Sequence, residues 1–184
     1  MLEQKIFDDT KTAFSLKSDS ELNRAYFLFK MISLQPLVKV GSALTNFALN
    51  INLPIKGIVK ATVFDHFCGG ESEKDCVSTI DAMYSKNVHS VLDFSVEGKE
   101  TEALFDAALN RVLSVIDFSK NRPGLPFAVF KPTGFGRFEV WRKVTEKEKL
   151  TDKELKEWKR IQERFHEVCA KAKACDLKLL IDAE

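Results

Sequence analysis

Three charged residues close three apolar runs of the chain. Asp93 lies near the end of Val88-His-Ser-Val-Leu-Asp-Phe-Ser-Val, Lys131 ends Pro126-Phe-Ala-Val-Phe-Lys, and Asp182 ends Leu177-Lys-Leu-Leu-Ile-Asp. A charge in an apolar run is costly unless it is paired or stands at a polar site. Taken singly, each reads as a solvated or capping residue at a strand end. Their recurrence at matching places points to one shared rim, where Lys131 would be a good point-charge partner for a carboxylate.

The rest of the chain narrows the chemistry. Thr133-Gly-Phe-Gly has the outline of a phosphate-binding turn, but it lacks a third glycine and an immediate helix, so a structural turn is the simpler reading. There is no G-x-S-x-G elbow, no Walker sequence and no Cys/His nucleophile pair. His66, His89 and His166 are scattered, and Cys68, Cys76, Cys169 and Cys175 show no C-x-x-C spacing. Reduced thiols packed as small hydrophobes fit that pattern better than disulfides or zinc.

The elements that would position the three charges can be read from periodicity. Ser20 precedes an amphipathic helix carrying Leu22, Ala25, Tyr26, Phe29 and Ile32. Pro36 opens a second, with Leu37, Val40, Leu44, Phe47 and Ala48 on one face. Pro54 opens a third that runs until Gly69-Gly70, and Ser72 caps a fourth that stops near Asn87. From residue 88 the pattern becomes β-α-β-α-β, with strands at 88–96, 126–131 and 177–182. The first intervening helix spans 101–119, with Leu104, Ala108, Val112, Val115 and Ile116 inward. The second is long and charged, opens on a capping box of Thr151 and Glu154, and turns Leu155, Trp158, Ile161, Phe165 and Val168 inward. Its Lys/Glu-rich remainder, within 146–173, reads as a solvated face.

Strands separated by helices imply a parallel sheet, whose functional groups gather at the carboxyl ends of the strands. The expected organisation is a helical segment at 1–87 and three strands with two intervening helices at 88–184. A complete eight-strand barrel takes about 250 residues, so the chain reads as a truncated one.

The 184 residues are 45% hydrophobic and 30% charged, and 28 Lys and Arg against 27 Asp and Glu give a net charge of +1. A near-neutral chain offers no global electrostatic attraction for nucleic acid or an anionic membrane. No apolar run approaches the roughly 18 residues of a spanning helix. The acidic start, Met-Leu-Glu-Gln-Lys-Ile-Phe-Asp-Asp, looks like neither a secretory signal nor an Arg-rich presequence.

Four separated segments then carry a family resemblance: Lys60-Ala-Thr-Val-Phe with Gly69-Gly70-Glu71, Val91-Leu-Asp-Phe-Ser-Val-Glu-Gly98, Phe130-Lys-Pro-Thr-Gly-Phe-Gly136 and Leu180-Ile-Asp-Ala-Glu184. In order and spacing they resemble the amino-terminal part of the proline dehydrogenase family. That resemblance implies a (βα)8 flavoenzyme that oxidises L-proline to 1-pyrroline-5-carboxylate with FAD and passes electrons to a membrane quinone. It aligns Lys131 with the lysine that pairs with the substrate carboxylate. Asp93 aligns with an aspartate that ion-pairs with a substrate-binding arginine, and Asp182 with an aspartate near the flavin. The arginine pair and most flavin contacts of the family would lie beyond Glu184, so the chain alone is expected to be inactive. A bacterial source would imply a cytoplasmic enzyme peripheral at the inner membrane, and a eukaryotic one a mitochondrial enzyme. Two other readings stay open at this point: an unrelated α/β nucleotide-binding domain and a noncatalytic helical interaction module.

Overall fold

The computed structural model describes residues 8–51, 53–94 and 101–183. The chain divides into two compact units, 1–76 and 77–184.

The first unit is helical. A single turn, α1 (Thr10–Ala13), is followed by α2 (Asp19–Ile32) and α3 (Gln35–Asn50). Ser18 caps α2, so the helix already includes Ser20, because Ser18 and Glu21 form a reciprocal capping box. α3 opens on Pro36 in its first turn, as the sequence suggests. Its expected inner face is not inner: Val40, Leu44 and Phe47 are exposed and only Ala48 is buried. α3 is amphipathic, with Gln35, Lys39, Ser42, Asn46 and Asn50 along the other face, but an apolar stripe does not by itself supply the neighbour that would bury it.

The expected third helix is continuous over Lys56–Phe67 but changes pitch. α4 (Lys56–Val59) leads into a π turn (Lys60–Phe64), and α5 (Asp65–Phe67) completes it. The Asp65 N–H donates to the Lys60 carbonyl, five residues back. Ser72 does not cap a long helix. It closes a turn with Asp75, whose carboxylate accepts from the Ser72 N–H at 3.0 Å and from its hydroxyl at 2.8 Å.

The second unit holds the α/β part: α6 (Val77–Tyr84), α7 (Glu102–Ser119), β1 (Phe127–Phe130), α8 (Phe138–Thr145), α9 (Asp152–Ala174) and β2 (Lys178–Ile181). β1 and β2 pair in parallel with Phe127 opposite Lys178 and Phe130 opposite Ile181. α9 and α8 lie in the connection between them, as a parallel crossover requires. The core is Leu109 and Ile116 of α7, Ala128 and Phe130 of β1, Phe135, and Val168 and Ala172 of α9.

Four expectations change here. First, the described part of the first strand, 88–94, is extended chain without a sheet ladder. Its backbone reaches a neighbour through the Ser90 N–H, which donates to the Gly124 carbonyl at 2.8 Å, before β1 begins. Val88, Val91 and Phe94 are exposed, so the run lacks the cover that turns β-propensity into a strand. Residues 95 and 96 lie outside the described residues. The α/β class thus stands, with two parallel strands among the described residues where three were expected.

Second, α8 fills a stretch to which the sequence assigns no element of its own ahead of the helix opened by Thr151, starting two residues after Gly136. Arg142 staples it, pairing with Glu139 at 2.9 Å, with Glu146 and with Glu148 at 2.8 Å. Third, Leu104 of α7 faces solvent and Phe105 takes the buried place. Fourth, the α9 stripe is rotated: Leu155 is exposed, while Glu154, Glu157 and Arg164 are buried beside Ile161 and Val168. The charged face is therefore only partly solvated. The Thr151–Glu154 capping box is present as read.

All four cysteines are thiols rather than disulfides. Cys76 is buried like a small hydrophobe, whereas Cys68 is exposed. No single helix among the described residues is long and apolar enough to cross a membrane.

Candidate functional site

The register of β1 against β2 decides which charges meet. Because Phe130 lies opposite Ile181, the next residues, Lys131 and Asp182, leave the sheet side by side at its carboxyl end. The Asp182 N–H donates to the Phe130 carbonyl at 3.1 Å, which carries the ladder one residue past β2. Lys131 Nζ then stands 3.7 Å from Asp182 Oδ2. That spacing is an ion pair, longer than the range of a hydrogen bond. The Lys131 side chain is only 15% exposed and that of Asp182 49%.

Asp93 is exposed, and no ion pair joins it to Lys131 or Asp182 among the described residues. Its neighbours Leu92 and Phe94 do reach the same place. With Val129, Phe130 and Lys131 they line a small apolar cavity of about 20 Å³. A space of that size takes roughly one water, so it is a packing gap beneath the lysine and not a substrate chamber.

Behind Lys131 the chain makes a tight 3₁₀ turn, Pro132–Phe135, closed by the Gly134 N–H donating to the Lys131 carbonyl at 3.0 Å. Phe135 stacks on Phe130 with ring centroids 5.0 Å apart. Gly136 is fully extended, so it does not need glycine's left-handed freedom. What it needs is room: a Cβ there would overlap Ile161 Cδ1 and Cγ1 of α9. The glycine of the Thr133-Gly-Phe-Gly motif thus serves close packing of the turn against α9.

The sequence reading missed Arg164. Its side chain is 5% exposed, yet it is fully engaged. Nε and Nη2 donate to Asp106 at 2.9 and 2.7 Å, Nη2 also reaches Glu102, and Nη1 donates to the Phe135 carbonyl at 2.9 Å. Burial opposes the charge on Arg164, but the bonds to Glu102 and Asp106 outweigh it and hold the guanidinium above its ordinary value. Burial likewise opposes the charge on Glu102, and bonds from Arg164 and Arg160 still draw its carboxyl below its ordinary value. The signal was present: Glu102 and Asp106 are four apart on one helix, as are Arg160 and Arg164 on the other.

Known proteins resemble the chain over half or more of its length. The chain is 36% identical over 98 residues to proline dehydrogenase 1, mitochondrial, of Caenorhabditis elegans, covering 52% of this chain and 16% of that protein. It is 24% identical over 218 aligned positions to proline dehydrogenase 2, mitochondrial, of Arabidopsis thaliana, covering 96% of this chain and 46% of that protein. The chain is proline dehydrogenase-like. It is also 31% identical over 118 residues to the carbapenem antibiotics biosynthesis protein CarD of Pectobacterium carotovorum, covering 64% of this chain and 31% of that protein. This proline dehydrogenase-like chain spans less than half the length of the curated relatives it matches. No family model and no solved structure matches it.

Proposed function

We propose that this chain carries part of the substrate site of a proline dehydrogenase-type oxidoreductase, in which Lys131 holds the carboxylate of L-proline during its oxidation to 1-pyrroline-5-carboxylate. The observation that supports the reading is the loose pair of Lys131 and Asp182 at the carboxyl end of the sheet. A largely covered ammonium needs counter-charge, and Asp182 is one source of it. The 3.7 Å gap leaves that counter-charge exchangeable, so an incoming carboxylate can take the ammonium at hydrogen-bond range. Asp182 then faces the substrate as a carboxylate able to accept from its amine. In the same reading Asp93 is the partner of a substrate-binding arginine.

The family reading brings FAD as the hydride acceptor, a membrane quinone as the onward electron acceptor and, for a eukaryotic source, a mitochondrial location. The cavity at Lys131 does not fit a flavin ring, since it has room for about one water. The steps assigned to this chain are therefore binding and charge placement.

Calorimetric titration of L-proline into the protein and into Lys131→Met tests the role. Losing one partner of a desolvated charge pair should cost about 2–5 kcal/mol of binding. An affinity unchanged by Lys131→Met overturns the carboxylate role.

A further inference from the structure

Resting on the reading of Lys131 above, we propose that Arg164 is a positioning residue: through the Phe135 carbonyl it fixes the Pro132–Phe135 turn, and so sets where the Lys131 ammonium meets a carboxylate.

The Arg164 guanidinium divides its donors between two tasks. Tying α7 to α9 needs only the two carboxylates, and Nε and Nη2 serve those. Nη1 goes elsewhere, to a backbone carbonyl in the turn that follows Lys131. That bond is buried, so the carbonyl has no water to fall back on and its position is held. Only a planar fork with several fixed donors can satisfy two carboxylates and a carbonyl together, and a lysine ammonium cannot.

The turn passes this constraint on. It is one short 3₁₀ turn with Lys131 at its head and Phe135 at its foot, closed by the bond from Gly134 to the Lys131 carbonyl. Its foot is clamped on three sides. Phe135 stacks on Phe130, the residue before Lys131. Gly136 abuts Ile161, and Arg164 holds the carbonyl. A shift at the foot therefore reaches Lys131 through a few stiff residues.

The test compares two variants of the 184-residue protein that weaken the same cluster differently. Arg164→Lys keeps a cation facing Glu102 and Asp106 but gives up the bond to the Phe135 carbonyl. Asp106→Asn weakens the link between α7 and α9 and leaves that bond in place. Two quantities are read at a temperature where circular dichroism shows each variant folded. One is the dissociation constant for L-proline by calorimetry. The other is the chemical shift of ¹³C-dimethylated Lys131, assigned by its loss in Lys131→Arg. Arg164→Lys should weaken L-proline binding about tenfold and move the Lys131 signal. Asp106→Asn should lower the melting temperature while leaving affinity within about twofold and the signal in place.

An unmoved Lys131 signal in folded Arg164→Lys overturns the proposal, as do equal effects of the two variants. Should Arg164→Lys not fold, Arg164→Gln is read by the same two measurements and the same criteria. If the unaltered protein binds no L-proline, the carboxylate reading falls. The Lys131 signal then decides the positioning role alone.

Discussion

The two compact units use their apolar residues in opposite ways. In 77–184, phenylalanines 105, 130 and 135 are buried together with Ile116, Leu125, Val140, Ile161 and Val168. Among the described residues of 1–76, the buried hydrophobics are Ala48 and Cys76, while Tyr26, Phe27, Leu44 and Phe47 stand exposed. Yet both units contain a complete capping box, Ser18 with Glu21 in one and Thr151 with Glu154 in the other. Starting a helix is thus a local matter that both sequences solve. Burying its face is not local, and only the second unit shows it done.

The sharpest way to break this comparison is to truncate the same side chain in each unit. Phe130→Ala in the second should cost about 3–5 kcal/mol, because it leaves a cavity between Phe135 and Phe165. Phe47→Ala, at a 61% exposed position, should stay within about 0.5 kcal/mol. Urea unfolding of both variants measures the difference. Equal losses would mean that Phe47 is covered in solution and that the contrast is not a property of the chain.

A smaller effect is expected at Gly136. The added methyl of Gly136→Ala meets Ile161, itself fully buried, so overpacking should cost about 1–3 kcal/mol. Combining it with Ile161→Ala should recover part of that loss, which a double-mutant cycle measures. Additive losses would show that the turn is not packed against Ile161.

The smallest effect concerns the two capping boxes in acid. Hydrogen bonding to Lys143, then to the Thr151 backbone and hydroxyl, holds Glu154 down at about 2. The Ser18 backbone and hydroxyl also lower Glu21. A carboxylate depressed in the folded state stabilises above its unfolded pKa, and that contribution is lost as pH falls through the folded value. The α9 box should therefore weaken between about pH 4.5 and pH 2. Glu154→Gln should flatten that acid limb in thermal melts of the second unit's signal. Glu21→Gln should leave it unchanged, and an effect of equal size from both would erase the distinction.

Much of the helical content was legible because its causes are short-range. Pro36 in a first turn, the Thr151 box and the stop near Asn87, which takes a positive φ of 59°, are each set by a few neighbouring residues. The strands at 127–130 and 178–181 were legible for the same kind of reason, as compact β-branched or aromatic apolar runs. The run at 88–94 also carries β-branched and aromatic residues and is no strand, because a ladder needs a second backbone in register and composition does not supply one.

The candidate site divides along the same line. The sequence alone determined that Lys131 and Asp182 each close an apolar run, and that the chain is proline dehydrogenase-like. Only the tertiary structure decided that these two meet at 3.7 Å, because that depends on which residue of β1 lies opposite which residue of β2. It also decided that Arg164 is buried rather than solvated. The side chain's environment is set by Glu102 and Asp106, about sixty residues away, and the matching four-residue spacings on the two helices become a pairing only once the fold lays α7 against α9.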